Sequence, residues 1–164
     1  MQLLISDANI LIDLEEGELL ELLFQLPYQF SVPDILFVEE LEAQHAHLPG
    51  MGLLLGELEP QAMAYAFELI QRVNGPSRND CFALALAKQK NCPLLSGDQA
   101  LRRVAEREEV VVRGTIWLVE EMIHCNIISI DQARTAYQRM RENARRLPWD
   151  KALQRLDEWP QERI

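Results

Sequence analysis

Short runs of consecutive apolar residues alternate along this chain with longer stretches in which apolar residues recur every three or four positions. Leu3-Leu4-Ile5 is the first such run and reads as a strand buried on both faces. From Ile10 the spacing turns helical, with Gly17 as its stop. Glu18 to Gln25 reads as a second helix that ends near Pro27. Tyr28-Gln29-Phe30-Ser31-Val32 is aromatic and β-branched, which predicts a second strand. Pro33-Asp34 opens a helix to about His47, Pro49-Gly50-Met51-Gly52 reads as a loop, and Leu53-Leu54-Leu55 as a third strand. Pro60 starts a helix carrying Met63, Ala66, Phe67 and Ile70 on one face, which ends before Asn74-Gly75-Pro76.

In the second half, Ser77-Arg78-Asn79-Asp80 has the form of a capping box, and the helix from Cys81 to Lys90 is rich enough in alanine and leucine to be buried all round. Pro93-Leu94-Leu95-Ser96 predicts a fourth strand, Gly97-Asp98 turns into a further helix, and Val110-Val111-Val112 predicts a fifth strand. Helices follow at 115–125, 131–146 and 149–157, the second behind another capping box, Ser129-Ile130-Asp131-Gln132. Strands separated by helices imply right-handed crossovers, hence a three-layer α/β/α fold with a parallel sheet. The chain divides into an α/β domain over 1–125 and a helical extension over 126–164 packed on the same domain.

A length of 164 residues suits about one domain, and 48% hydrophobic with 26% charged residues excludes wholesale disorder. No apolar run reaches membrane-spanning length, so no membrane role is expected. The N-terminus meets Asp7 without a basic stretch, and Cys81, Cys92 and Cys125 form no closely spaced pair; both features point to a reducing, cytoplasmic setting.

The formal charge of −10 excludes a global electrostatic grip on nucleic acid. Its distribution is uneven. Residues 1–82 hold fourteen acids against Arg72 and Arg78, a net of −12, whereas residues 83–164 hold fourteen bases against twelve acids, a net of +2. Seven of those bases fall within 134–155. They read either as a solvated face paired with acids elsewhere, or as a phosphate track in which Arg141 and Arg145 hold a nucleic-acid backbone.

In open parallel sheets chemistry gathers beyond the carboxyl ends of the strands, at the switch point of the topology. Asp7 follows the first strand directly and Asp98 the fourth; Asp80 lies in the first turn of the alanine-rich helix. Glu39, with Glu40 beside it, lies in the helix after the second strand, and in an α-helix only one of these two can face the crevice. Taken singly, these acids read as helix caps or solvated side chains. Together they form a self-repelling cluster that needs a counter-charge. An all-oxygen set without cysteine or histidine selects Mg²⁺ or Mn²⁺, and such ions support phosphodiester hydrolysis by an activated water. Asp7, Asp80 and Asp98 are the expected metal ligands, with Glu39 joining the catalytic set; Asn9 and Ser96 are placed to hold ligands or waters from behind.

These residues resemble the motifs of PIN-domain ribonucleases. Leu4-Ile5-Ser6-Asp7-Ala8-Asn9-Ile10-Leu11-Ile12 is similar to the family's opening motif, and Val32-Pro33-Asp34-Ile35-Leu36-Phe37-Val38-Glu39 to the second. Asp80-Cys81-Phe82-Ala83-Leu84-Ala85-Leu86-Ala87 and Leu94-Leu95-Ser96-Gly97-Asp98-Gln99-Ala100-Leu101 are similar to the third and fourth. The resemblance implies a five-stranded parallel sheet in the order 3-2-1-4-5, Mg²⁺ or Mn²⁺ held by the acids, and endoribonuclease activity of the kind found in toxins of prokaryotic toxin–antitoxin pairs. It also implies an RNA substrate, an antitoxin partner and a homodimer. A rival reading is a PIN-like binding or regulatory module without catalysis. A phosphoacceptor domain with Asp7 as nucleophile lacks its lysine after a late strand, since the lysines are Lys88, Lys90 and Lys151. His45 and His47 read as a solvated helix end, Cys81 and Cys92 as core, and Trp149 and Trp159 as packing anchors.

Overall fold

In the computed structural model, which describes residues 1–160, the first strand, β1 (Gln2–Ser6), lies at the centre of the sheet with Leu4 and Ile5 buried. The chain leaves it through α1 (Ala8–Glu16) and α2 (Leu20–Leu23) to reach β2 (Tyr28–Pro33). A helix of three parts follows: α3 (Asp34–Leu36), a π-helical turn (Phe37–Leu41) and α4 (Glu42–His45). The short α5 (Leu48–Met51) then leads to β3 (Leu54–Gly56). Helices α6 (Pro60–Arg72) and α7 (Arg78–Lys90) carry the chain back to β4 (Leu94–Leu95), and α8 (Gln99–Arg107) connects it to β5 (Val112–Arg113). Helices α9 (Thr115–His124), α10 (Ile130–Glu142) and α11 (Trp149–Asp157) complete the described chain.

All four strand pairings are parallel, and the strand order is β3-β2-β1-β4-β5. The five-stranded parallel sheet in the order 3-2-1-4-5, between helical layers, is therefore the observed architecture. Connections from β1 run outward to β2 and β3; the crossover through α6 and α7 then starts the other half at β4. The switch point lies between β1 and β4, and Asp7 N–H donates to Leu95 O across it at 3.0 Å.

Helix α7 spans β1, β2 and β4 and is itself covered by α6, so every residue from Cys81 to Ala87 is buried; the burial expected to Lys90 stops there, with Lys88 and Lys90 exposed. Both capping boxes form: Ser77 with Asp80, and Ser129 with Gln132. Several extents differ from the sequence reading. The second helix shrinks to Leu20–Leu23, the Pro49–Gly52 loop contains the helical turn α5, and β3 begins one residue late. The inner face of α6 is Ala62, Ala66 and Leu69; Phe67 is half exposed, edge-on to Phe82. Helix α10 stops at Glu142 because Ala144 turns into the left-handed region at φ 61°.

Gly17 does more than stop α1. A Cβ there would lie 2.6 Å from Met140 Cε and 3.3 Å from Ala136 O, so a bare backbone lets α10 lie against the end of α1. A bidentate ion pair from Arg155 in α11 to the buried Glu120 of α9, at 2.7 Å on both oxygens, ties the last described helix to the one before the extension.

Candidate active site

Three of the four predicted acids stand at helix N-termini around the switch point. Asp7 is the N-cap of α1: Oδ1 accepts from Ile10 N–H at 3.0 Å, while Oδ2 accepts from Ser96 Oγ at 2.6 Å. Its side chain is almost wholly removed from water, and no ion pair reaches it among the described residues. Burial therefore dominates its acidity. Against the lowering effect of the Ser96 and Ile10 hydrogen bonds, and aided by the charges of Asp80 and Asp13, it pushes the Asp7 carboxyl up to about 7.

Asp98 is the N-cap of α8 through Leu101 N–H at 2.9 Å, and Ser96 Oγ also accepts from Asp98 N–H at 3.1 Å. One hydroxyl thus bridges the segments that carry Asp7 and Asp98. Asp80 closes its capping box through Ser77 N–H at 2.9 Å. Burial pushes its carboxyl above the ordinary range, and the nearby charge of Asp98 adds to that. The charge of Asp80 acts on Asp7 and that of Asp98 on Asp80, so each of these two raised carboxyls has an acidic neighbour.

Glu39 and Glu40 lie in the π-helical turn, a geometry in which successive side chains splay less than in an α-helix. Both carboxylates reach Asn79 Nδ2, at 3.0 and 3.1 Å. Their environments differ. Glu39 is exposed and paired with Arg78, and that guanidinium together with Asn79 holds its carboxyl below the usual range. Glu40 is partly buried, and burial together with the charges of Asp80 and Glu39 pushes its carboxyl up. Of the two, Glu40 is the one that feels Asp80. Asn79 Oδ1, beside them, is buried without a donor among the described residues.

A fifth acid was not singled out from the sequence. Asp13, on the inward face of α1, is buried and adds to the repulsion on Asp7. Thr115 Oγ1 donates to it at 2.7 Å and Arg145 Nε at 2.6 Å. Arg145 Nη2 also lies 3.2 Å from Asn9 Oδ1. The available signal was its position, an acid interrupting the apolar run Ile10-Leu11-Ile12 and Leu14. Arg145, expected on RNA, thus packs on this edge of the site, and Asn9 turns toward it. Arg141 is exposed beside Tyr137 and Trp149 and borders a different depression. Arg134, Arg139, Arg145 and Arg155 all pair with acids of the same chain, the first two with exposed acids and the last two with the buried Asp13 and Glu120.

Among the remaining candidates, His45 is buried and bonded to Glu15 rather than solvated, because α4 turns it back over α1. Cys81 and Cys92 are buried core thiols pushed up to about 11 by that burial. Trp149 packs against Tyr137 and Trp159 against His124.

The donor set is all oxygen, and a buried Asp7 beside the half-buried Asp80 and Asp98, none with a basic partner among the described residues, fits a hard divalent cation. The group is open: among the described residues, no three Asp, Glu, His or Cys side chains are already gathered as a metal-holding set. A bound ion would have to draw Asp7, Asp80 and Asp98 inward.

A family model described as a PIN domain matches residues 3–159, which includes α10 and α11. No curated protein matches the chain by sequence. The structure is similar to a chain in the crystal structure of VapBC2 from Rickettsia felis bound to a DNA fragment from their promoter. The TM-score is 0.50 at 16% identity, over 69% of this chain and 98% of that one. At that identity the likeness speaks to the fold.

Proposed function

The chain belongs to the PIN-domain family, and from that premise we propose that it is a ribonuclease that hydrolyses RNA phosphodiester bonds with Mg²⁺ or Mn²⁺. The observation that carries the proposal is the state of Asp7. It is a buried carboxyl at the switch point, raised to about 7, facing the charges of Asp80 and Asp13 with no basic partner among the described residues. Its cap on α1 and its bond to Ser96 leave the buried charge without a counter-charge, which a divalent cation would supply.

Asp7, Asp80 and Asp98 hold the ion in this reading. Glu40 replaces Glu39 in the acidic set, because Glu40 is the glutamate coupled to Asp80. When bound, the ion supplies Lewis acidity toward water and toward the scissile phosphate. Ser96 fixes the Asp7 carboxylate with its hydroxyl proton and holds the turn into α8 by accepting from Asp98 N–H. Asn79 restrains Glu40 through Nδ2. The net reaction adds a water oxygen to phosphorus and releases one ribose oxygen as a hydroxyl. Asn9, engaged with Arg145, acts through the position of that arginine rather than on the ion.

The likeness to VapBC2 supports a toxin whose acidic site is silenced by an antitoxin with a basic segment, both in the cytoplasm. No described helix is long and apolar enough to cross a membrane. The open state of the acid group favours one alternative, a PIN-fold binding module without catalysis. Incubation of a 5′-labelled, structured RNA with the purified protein and Mn²⁺ separates the two. Cleavage that disappears with EDTA and in Asp7→Asn is the expected result. Absence of both cleavage and calorimetric Mn²⁺ binding would transfer the chain to the binding module.

A further inference from the structure

Beside the acid cluster lies a groove of opposite character. It has a volume of about 420 Å³ and begins at Gly97 and Gln99, on either side of Asp98; Asp13 also lines it. Its walls are the end of β5, the first turns of α9, and the segment from Arg146 into α11. Two acids line it, and both are neutralised: Asp13 by Arg145 and Glu120 by Arg155. Four further cations line it, namely Arg102, Arg113, Arg146 and Lys151, and none has an acid partner among the described residues. Arg113 lies over the Trp117 ring at 5.8 Å, a cation–π contact that restrains it at the wall. Arg102 reaches the end of β5, with Nη2 3.9 Å from where a Cβ on Gly114 would stand.

Four uncompensated cations in one groove are exceptional in a chain of net charge −10. They come from α8, β5, the α10–α11 connection and α11, so the tertiary fold gathers them. The acid cluster repels a polyanion on its own, and any substrate phosphate brought there needs its neighbours held elsewhere.

We propose that this groove holds the backbone of a single RNA strand whose adjoining phosphate lies at the acid cluster. The proposal rests on the nuclease reading and supplies the binding half of it. Four cations spaced along one groove match the phosphates of a single strand, and contacts to phosphate position a strand without reading its sequence. The Arg141 and Arg145 expected from the sequence give way to Arg102, Arg113, Arg146 and Lys151. Arg145 instead anchors the segment that positions Arg146, through its bond to Asp13.

Fluorescence anisotropy of a short, unstructured, labelled oligoribonucleotide in EDTA tests binding without cleavage. Arg146→Glu/Lys151→Glu changes two exposed side chains and is expected to weaken binding at least about tenfold at low salt. It should also flatten the slope of log K against log salt by about 1.4, the value for two lost phosphate contacts on a single strand. Arg141→Glu/Lys90→Glu makes the same change of charge outside the groove, and less than about threefold weakening with an unchanged slope is expected. Equal effects of the two double variants, or no change of slope in the first, would overturn the track. So would tighter binding of polyglutamate than of the oligoribonucleotide, which would assign the groove to an acidic protein segment. Mn²⁺-dependent cleavage is read separately, so a failed groove and a failed nuclease are distinguishable.

Discussion

Ser96 Oγ stands 2.6 Å from Asp7 Oδ2 and bridges residues 89 apart in sequence at the point where the two halves of the sheet separate. Among the described residues it is the one side chain that donates to the Asp7 carboxylate, and it also accepts from Asp98 N–H at 3.1 Å. The energetic position of the acid cluster therefore depends on how this pair balances burial against hydrogen bonding.

The first consequence concerns pH and stability. The folded carboxyl of Asp7 is raised from 3.8 to about 7, so folding favours its protonated form. The stability that this proton confers is present below about pH 4 and is lost as pH rises toward and through 7. Asp7→Asn cannot ionise, and it should make the metal-free protein more stable at pH 8 by about 2–4 kcal/mol, with less difference at pH 5. Urea unfolding in EDTA at the two pH values measures this. A variant less stable than the parent at pH 8 would show that the Asp7 charge is compensated in the fold.

Divalent metal should reverse that penalty. Mn²⁺ at a hundred times its dissociation constant stabilises a one-site protein by about 2.7 kcal/mol. The wild-type protein is expected to gain a corresponding rise in Tm, and Asp7→Asn/Asp80→Asn to gain none. Equal Tm shifts in both proteins would remove these carboxylates as ligands.

Ser96→Ala deletes the donor that favours the charged Asp7. The Asp7 pKa should then rise further, and the acidic limb of the cleavage profile should move up by roughly one pH unit. A pH profile of kcat checks this, with KM for RNA expected to stay unchanged. An unmoved limb would mean that Asp7 ionisation does not control the rate.

The two adjacent glutamates should separate functionally. Glu40→Gln is expected to weaken Mn²⁺ binding about tenfold, whereas Glu39→Gln breaks the pair with Arg78 and should change affinity less than about threefold. Calorimetric titration of both variants decides between them, and the reverse order would restore Glu39 to the site.

Arg145→Ala leaves Asp13 buried with Thr115 as its remaining donor, at an expected cost of about 1–3 kcal/mol. Asp13→Asn should recover part of that loss in the Arg145→Ala background, because the unpaired charge is then gone. Additive losses in the double variant would show that the two residues do not act as a pair.

The sequence by itself determined the sheet, its order through the motif resemblance, and the positions of the capping acids. These features rest on local rules. Periodicity sets the elements, and Asp7, Asp80 and Asp98 each accept a backbone N–H three residues away, so a short window contains the whole interaction. The π-helical turn escaped the sequence because it departs from the α-helical period by a single residue, and it brings both Glu39 and Glu40 to Asn79. Asp13 and Arg145 lie 132 residues apart, and no spacing rule spans that distance. Which arginines were free was also a tertiary outcome. An acid partner cancels a charge wherever packing brings the two together, and packing paired Arg134, Arg139, Arg145 and Arg155 while leaving Arg102, Arg113, Arg146 and Lys151 to line one groove without an acid partner among the described residues.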